Sequence, residues 1–320
     1  MMELKDLGEL LEAQIKGNPF LKIIRVSSYA DNSNNSISYV EKKIDIKKFF
    51  LDQKAYLISS DLVDIFPENA NLLIVDNVRF SFAKLTSIYK KHIPNLYPSV
   101  NLSVAENSSY GDNCLFGNNV TIEDNVSIGN NVLIGHNVTI SQGVIIGNCV
   151  SIGPGTNIGT EGFGNVLIKD KWTHIHHLGS VIIKDNVSIG SNCTIDRGTI
   201  DNTVINQGVI LDNQIHIAHN VIIGENTAIA ANTGIAGSCN IGKRNMIGGM
   251  VGIVDHIKTA DDVIISATST VNKEIKEPGT YTGFMPIVKH SRWKRIALWI
   301  TKLDKIAKFL DLKRSKLWRK

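Results

Sequence analysis

Residues 110–139 read YGDNCL FGNNVT IEDNVS IGNNVL IGHNVT, five consecutive blocks of six residues. Every block opens on a large apolar or aromatic residue and carries Asn at its fourth position. A period of six fits neither the roughly 3.6-residue period of a helix nor simple alternation, and it is the signature of a parallel β-helix built from hexapeptides. We therefore expect a triangular prism in which each opening residue points inward. Gly and Asn should form the corners, because both tolerate positive φ.

The repeat extends from Val104 to Val271 but is not continuous. An insertion runs from about Thr160 to Val181, and a four-residue slip separates Ile195 from Ile205. Three hexapeptides make one coil of about 18 residues, and successive coils stack with the strand spacing of about 4.8 Å. Positions 18 residues apart should therefore lie one rung apart on the same side of the prism.

The sequence on either side of the repeat has a different character, so we divide the chain into three parts. Residues 1–98 lack the repeat and predict a small α/β domain, which ends at the segment HIPNLYP with its two prolines. Residues 99–286 form the β-helix. Residues 287–320 predict an amphipathic, basic helical tail. The predicted fold is thus mainly β, a left-handed parallel β-helix between an α/β domain and helices, with the left hand taken from hexapeptide-repeat proteins.

Composition and charge limit the classes of protein and of partner that fit this sequence. With 43% apolar residues among 320, the chain has enough for a sizeable core, and its four cysteines show no disulfide-like spacing. No apolar run approaches the roughly 20 residues of a membrane span, and the N-terminus has no signal-peptide pattern, so we expect a soluble cytoplasmic protein. Residues 289–320 carry a balance of +10 against about −6 for the rest. Such a tail suits nucleic acid, an acidic carrier protein or an anionic lipid surface.

Two of the nine histidines are candidates for catalysis. His219 and position 237, which is Gly, are 18 residues apart, and His256 lies one residue beyond the next rung, so the three should line one stripe of the prism. His219 is the natural general base, with Asp212 as a carboxylate that orients its ring. The N–H of Gly237 could face a developing oxyanion.

Four segments resemble the UDP-3-O-(3-hydroxyacyl)glucosamine N-acyltransferase family of the lipid A pathway. They are LDNQIHIAHNV (211–221), CTIDRG (193–198), EGFG (161–164) and EPGTYTGFMP (277–286). The segment DNVRFSFAKL (76–85) extends the resemblance into the N-terminal domain. The IAHNV motif is shared with the sister O-acyltransferase, which begins almost directly with hexapeptides, so the N-terminal domain favours the N-acyltransferase.

The resemblance implies a homotrimer with active sites between neighbouring prisms and no cofactor. The donor would be a 3-hydroxyacyl chain on acyl carrier protein, and the acceptor the 2-amine of a UDP-linked 3-O-acylglucosamine; peripheral contact with the inner membrane surface is compatible, and nucleic acid is not expected. The residues that match family roles are as follows: His219, Asp212, Gly237 and His256 for catalysis, Tyr39 and Asn213 for substrate binding, and Lys273, Lys289, Arg292 and Arg295 for carrier binding. Tyr39 can stack on uracil, but Lys42 and Asp45 depart from the family's nucleotide clamp.

Three alternatives remain open at this stage. The first is an acyltransferase that acts on another nucleotide sugar. The second is a zinc-dependent β-helix hydratase, invited by the H-x-x-H spacing of His216 and His219 although zinc needs about three converging protein ligands. The third is a trimer that only binds and catalyses nothing.

Overall fold

The computed structural model describes residues 1–43, 51–90, 99–284 and 287–310. The chain forms two compact units, Met1–Asn95 and Leu96–Lys320. Asp45 lies outside the described residues.

The first unit is a small α/β domain around a five-stranded sheet in the order β2-β7-β6-β5-β4. Strands β4 to β7 run parallel, and β2 pairs antiparallel with β7. The elements are β1 (Met2–Glu3), α1 (Leu4–Leu11), β2 (Gln14–Lys16), β3 (Lys22–Ile23), β4 (Arg25–Val26), β5 (Ser36–Val40), β6 (Lys54–Ile58), a 3₁₀ helix (Ser60–Ile65), β7 (Asn71–Ile74) and α2 (Val78–Tyr89). Helix α1 buries Leu4, Leu7 and Leu11, and it ends where Glu12 adopts a left-handed conformation with φ 54°.

The second unit is a parallel β-helix with three faces, each a sheet that takes every third short strand. Face 1 contains β8 (Ser103–Val104), β11 (Thr121–Ile122), β14 (Thr139–Ile140), β17 (Asn157–Thr160), β22 (Thr194–Asp196), β25 (His216–Ile217), β28 (Gly234–Ile235), β31 (Gly252–Ile253) and β33 (Thr270–Val271). Face 2 contains β9 (Ser109–Tyr110), β12 (Ser127–Ile128), β15 (Ile145–Ile146), β20 (Val181–Ile183), β23 (Thr203–Ile205), β26 (Ile222–Ile223) and β29 (Asn240–Ile241). Face 3 contains β10 (Leu115–Phe116), β13 (Leu133–Ile134), β16 (Ser151–Ile152), β21 (Ser188–Ile189), β24 (Ile210–Leu211), β27 (Ala228–Ile229), β30 (Met246–Ile247), β32 (Val263–Ile265) and β34 (Gly279–Tyr281).

The six-residue period explains both the core and the corners of this prism. The opening residues stack into one continuous core, as Ile122, Ile140 and Ile158 do on face 1. Asn residues occupy many of the left-handed corners, and their side chains bond to each other along the prism, as Asn119 Nδ2 donates to Asn137 Oδ1 at 3.0 Å. Tyr110, expected to point inward, is half exposed because β9 is the terminal strand of face 2.

Strand register locates the two interruptions of the repeat. Ile152 pairs with Ile189, and Ile189 pairs with Leu211, instead of with residues 18 positions on. The first insertion carries a separate hairpin, β18 (Asn165–Ile168) and β19 (Lys171–His174). The second follows β22 and contains Thr199.

After the prism the chain forms α3 (His290–Ile300) and α4 (Leu303–Phe309), neither of which buries a residue. Over the described ranges, no helix has the length and apolar character required to cross a bilayer. The predicted combination of an α/β domain, a β-helix and C-terminal helices is thus present.

Candidate active site

An open cavity of about 680 Å³ lies against face 1. Its floor is a row of outward-facing positions in register, His216, Gly234, Gly252 and Thr270. The two central positions carry no side chain, so the cavity is an elongated trough with a flat floor. The remaining lining residues are Phe163, Ala218, His219, Ile235, Ala236, Gly237, Ile253, Val254, Asp255 and His256.

His219 and Gly237 meet at the edge of this cavity, as the 18-residue spacing predicts. The imidazole lies directly on the glycine: a Cβ on Gly237 would be 2.6 Å from His219 Nε2 and 2.7 Å from Cε1. No hydrogen bond among the described residues uses the Gly237 N–H, while the His219 carbonyl accepts from Ser238 N at 2.9 Å. The pair therefore offers the cavity a ring nitrogen and a free N–H donor.

Asn220 sets the tautomer of His219. Its Oδ1 accepts from Thr199 N at 3.0 Å, and its Nδ2 donates to the Asp201 carbonyl at 3.0 Å, which fixes the orientation of the amide. His219 Nδ1 lies 3.0 Å from the same Oδ1 and must therefore carry the proton. Nε2 is left with its lone pair at the cavity, the arrangement that a general base requires.

Both interruptions of the repeat converge on this histidine. From the first, Gly162 packs so closely that a Cβ would lie 2.9 Å from both His219 Cβ and His177 Nε2. From the second, Thr199 Oγ1 lies 3.5 Å from His219 Nδ1. The two insertions also bond to each other, through Leu178 N to the Thr199 carbonyl at 2.8 Å. The EGFG segment thus covers His219, and its Phe163 reaches the cavity wall.

Burial shapes the electrostatics beside the base. His177 is 3% exposed, its ring centroid lies 5.1 Å from that of His219, and burial together with His219 lowers its pKa. Asp196 is also buried, which raises the pKa of its carboxyl group, and its Oδ2 lies 3.6 Å from His216 Nε2. The lowered pKa favours the neutral form of His177 next to His219, and the Asp196 carboxyl group interacts electrostatically with His216, His219 and His177.

Asp212 and His219 of the same chain do not contact each other in the structure. Asp212 is exposed at a corner beyond face 3, where Oδ1 accepts from Asn213 N at 2.8 Å and Oδ2 from Ala231 N at 3.2 Å. Asn213 belongs to the same corner, since its Oδ1 accepts from Ser191 N at 2.8 Å. Within one chain, the seven-residue separation carries Asp212 around one corner of the prism from His219, and its orienting role stays a prediction.

His256 does line the cavity, two coils beyond His219. Its N–H donates to the Gly237 carbonyl at 3.0 Å, so the three predicted residues are linked through the backbone. His256 itself occupies a left-handed corner with φ 59° and is exposed. An elongated ligand could contact both histidines at once.

The arrangement does not favour a zinc hydratase. His216 and His219 both face the cavity, but among the described residues the one group of three converging metal-type ligands is Glu161, His174 and His176. A catalytic zinc site needs about three protein ligands. His219 Nδ1 is moreover committed to an amide oxygen.

The first unit has its own cavity, of about 510 Å³, and Tyr39 lines it. The Tyr39 ring packs against Phe82, with the ring centroids 4.1 Å apart. Tyr39 is 39% exposed, so its ring forms an aromatic side of the cavity. Lys42, which departs from the nucleotide clamp expected from the family resemblance, also lines this cavity. Beneath the cavity, the buried Lys54 Nζ donates to the Ser28 carbonyl at 2.8 Å.

The predicted carrier contacts are exposed cations at the C-terminal end. Lys273 borders a hollow of about 280 Å³ past the last coil. Lys289 precedes α3, and Arg292 and Arg295 project from the helix three residues apart, on neighbouring positions of its surface. In the described part of the chain, none of these four forms a salt bridge.

Comparison with known proteins agrees with this architecture. The family model "Bacterial transferase hexapeptide (six repeats)" matches residues 111–142 and 125–160. A crystal structure of a UDP-N-acetylglucosamine acyltransferase from Bacteroides fragilis superimposes with a TM-score of 0.51 at 27% identity, over 59% of this chain and 72% of that chain. The fold is thus the left-handed parallel β-helix of hexapeptide-repeat acyltransferases.

Curated relatives define the family more narrowly. A UDP-3-O-acylglucosamine N-acyltransferase of Hahella chejuensis is 41% identical over 154 residues, which is 48% of this chain and 44% of that protein. The first relatives are thus matched over less than half of their length. Another, from Vesicomyosocius okutanii, is 44% identical over 335 residues and covers 100% of both chains. The chain belongs to the UDP-3-O-acylglucosamine N-acyltransferase family.

Proposed function

We propose that the protein transfers a 3-hydroxyacyl chain from acyl carrier protein to the 2-amine of a UDP-linked 3-O-acylglucosamine, a step in lipid A synthesis. The amine nitrogen attacks the thioester carbonyl while His219 Nε2 accepts its proton. The resulting oxyanion receives a hydrogen bond from the Gly237 N–H. Collapse forms the amide and breaks the C–S bond, and the proton held by His219 passes to the departing thiolate.

The observation that carries this proposal is the pairing of a basic nitrogen and a free N–H donor at one edge of the cavity. Asn220 fixes Nδ1 as the protonated nitrogen, and the Gly237 N–H has no partner among the described residues. One general base typically contributes about 10² to 10⁴ in rate, and one oxyanion donor about 10² to 10³. Acyl transfer uses both groups.

The trough next to this pair suits the acyl chain. Gly234 and Gly252 leave its floor without side chains. The space above them is open, since a Cβ at either position would meet nothing within 4 Å. Thr270 ends the row and also borders the next hollow along the prism. A linear chain whose carbonyl sits at Gly237 would therefore run towards the C-terminal coils.

For the acceptor, we propose that uracil stacks on Tyr39 in the cavity of the first unit. Its walls are mostly apolar, with Val26 and Phe82 beside Tyr39. Lys42 in this lining suits a phosphate group better than a base edge, because an ammonium is a point charge.

For the donor, we propose that Lys273, Lys289, Arg292 and Arg295 dock the acidic carrier. Exposed cations without internal partners speed the encounter with an acidic protein through long-range attraction.

The active unit in this proposal is a homotrimer, supported by apolar outward positions in register on face 3. Ile210, Met246 and Ile264 are 55%, 52% and 38% exposed there. Asp212 and Asn213 follow directly after this face, so the proposal places them beside a neighbouring copy.

The test is the variant His219→Ala, assayed with an acyl carrier protein thioester and UDP-3-O-acylglucosamine. We expect kcat to fall by about a thousandfold, within the range of a lost general base, at unchanged oligomer mass. His136→Asn is the matched control: His136 Nδ1 accepts from Asn118 N, as Asn130 Oδ1 accepts from Asp112 N at the equivalent corner. Retention of more than a tenth of wild-type turnover would remove His219 from this role. A panel of other UDP-sugars tests the acceptor, and a preferred sugar without a 3-O-acyl chain would favour the alternative acyltransferase.

A further inference from the structure

The hairpin of the first insertion has no core of its own. All eight residues of β18 and β19 are exposed or only half-buried, including Leu167 and Trp172, which are 53% and 68% exposed. An isolated two-stranded hairpin is marginally stable in water. Contacts at its base, such as Ile175 N to the Gly164 carbonyl at 2.8 Å, therefore matter for its position next to the cavity that Phe163 lines.

At that base lie three side chains with metal-ligand chemistry. Glu161 precedes the hairpin, His174 ends β19, and His176 follows it. His174 Nε2 is 2.6 Å from Glu161 Oε2, and His176 Nδ1 is 3.3 Å from Glu161 Oε1. One ligand atom from each of the three residues lies within 4.8 Å of the other two.

This geometry is close to that of a three-ligand zinc site. Tetrahedral zinc with bonds of about 2.0 to 2.1 Å places its ligand atoms about 3.4 Å apart. The observed 2.6 and 3.3 Å lie near this spacing, and the third separation, within 4.8 Å, would need side-chain movement of at most about 1.4 Å to reach it.

A further contact leads from this cluster to the active site. The N–H of His177, directly after the cluster, lies 3.4 Å from Glu161 Oε1. The His177 ring is buried, and it packs on His219. An ion bound to Glu161 would therefore influence the position of the segment around His177, which packs on His219.

We propose that Glu161, His174 and His176 bind a divalent transition-metal ion of the zinc class, which ties the hairpin to the rim of the cavity. Two imidazoles and one carboxylate select borderline ions such as Zn²⁺ and Co²⁺ over Mg²⁺ and Ca²⁺, which prefer oxygen ligands. The fourth position is open to water. This site lies apart from the His216 and His219 pair considered for a hydratase, and it does not depend on the proposed acyl transfer.

The test uses the untagged, full-length protein after chelation, titrated with Zn²⁺ by calorimetry at pH 7.5. We expect about one Zn²⁺ per chain, visible d–d absorption with Co²⁺, and no displacement by excess Mg²⁺. Hydrogen exchange of residues 165–174 should slow when Zn²⁺ is added. His174→Ala and Glu161→Gln should weaken binding by about tenfold or more and abolish that slowing.

His219→Ala is the discriminating control, because it leaves the cluster intact. Equal zinc binding by His219→Ala and wild type, with loss in His174→Ala, supports the insertion as the site, whatever the activity of either variant. Absence of binding, or binding that survives His174→Ala and disappears in His219→Ala, would overturn the proposal. Circular dichroism verifies that the variants fold. We expect His174→Ala to fold as wild type does, because His174 and His176 are exposed.

Discussion

Gly237→Ala should disable the enzyme through a single methyl group. The new Cβ would lie 2.6 Å from His219 Nε2, whereas ordinary contacts begin near 3.4 Å, so the imidazole must move by about 0.8 Å. Gly237 has no positive φ, and the backbone therefore accepts alanine without strain. A misplacement of about 1 Å at a reacting group can cost about 10² in rate, so we expect kcat to fall about a hundredfold.

The assay is steady-state turnover together with urea unfolding, and the structure offers a matched control. Gly252→Ala lies in the same trough, where a Cβ meets nothing within 4 Å, so its free energy of unfolding should match that of wild type. Gly237→Ala should likewise unfold as wild type does, because His219 is only half-buried and its ring can shift towards the cavity. If Gly237→Ala kept more than half of the wild-type kcat, the placement of the base over this glycine would be refuted.

Three further changes test the other parts of the proposal. Thr270→Met should shorten the preferred acyl donor, since each buried CH₂ contributes up to about 0.8 kcal/mol until the trough is blocked; identical chain-length profiles in a C12 to C18 competition would contradict this. Arg292→Glu with Arg295→Glu should raise the KM for acyl carrier protein and weaken its salt dependence, with kcat unchanged; unaltered donor kinetics at low salt would exclude docking there. Lys54→Met should lower the unfolding free energy by about 1 kcal/mol, because the carbonyls of the exposed residues Ser28 and Asp31 lose a charged donor but can turn to water instead. Burial lowers the Lys54 pKa, so wild-type stability should rise with pH between that pKa and 10.5, a slope absent from the variant in urea titrations.

The prism was predictable because its rules are local and repeat. An apolar residue every sixth position fixes what points inward, and Asn at the corners fixes where the chain turns, so Ile122 and Asn119 could be placed without any other knowledge. The 18-residue coil also fixed which residues share a stripe, and it correctly joined His219, Gly237 and His256.

Contacts that involve residues outside the repeat were missed because no periodicity places those residues. Asn220 stands next to His219 in the sequence, yet its role depends on Thr199 and Asp201, which come from the second insertion. No sequence pattern marks His177, although it is buried against His219. The only sequence signal for these contacts was the break in period itself.

That signal has a physical reason. A regular coil exposes side chains only outward from flat faces, so by itself it cannot surround a histidine or exclude water from it. At His219 the prism supplies the rigid floor and the free N–H of Gly237, while one insertion contributes Gly162 and the other Thr199. The insertions bond to each other rather than only to the prism, so they close over the same rung. Two interruptions of a hexapeptide repeat that meet at the same face of the prism therefore indicate the position of the active site of a β-helix.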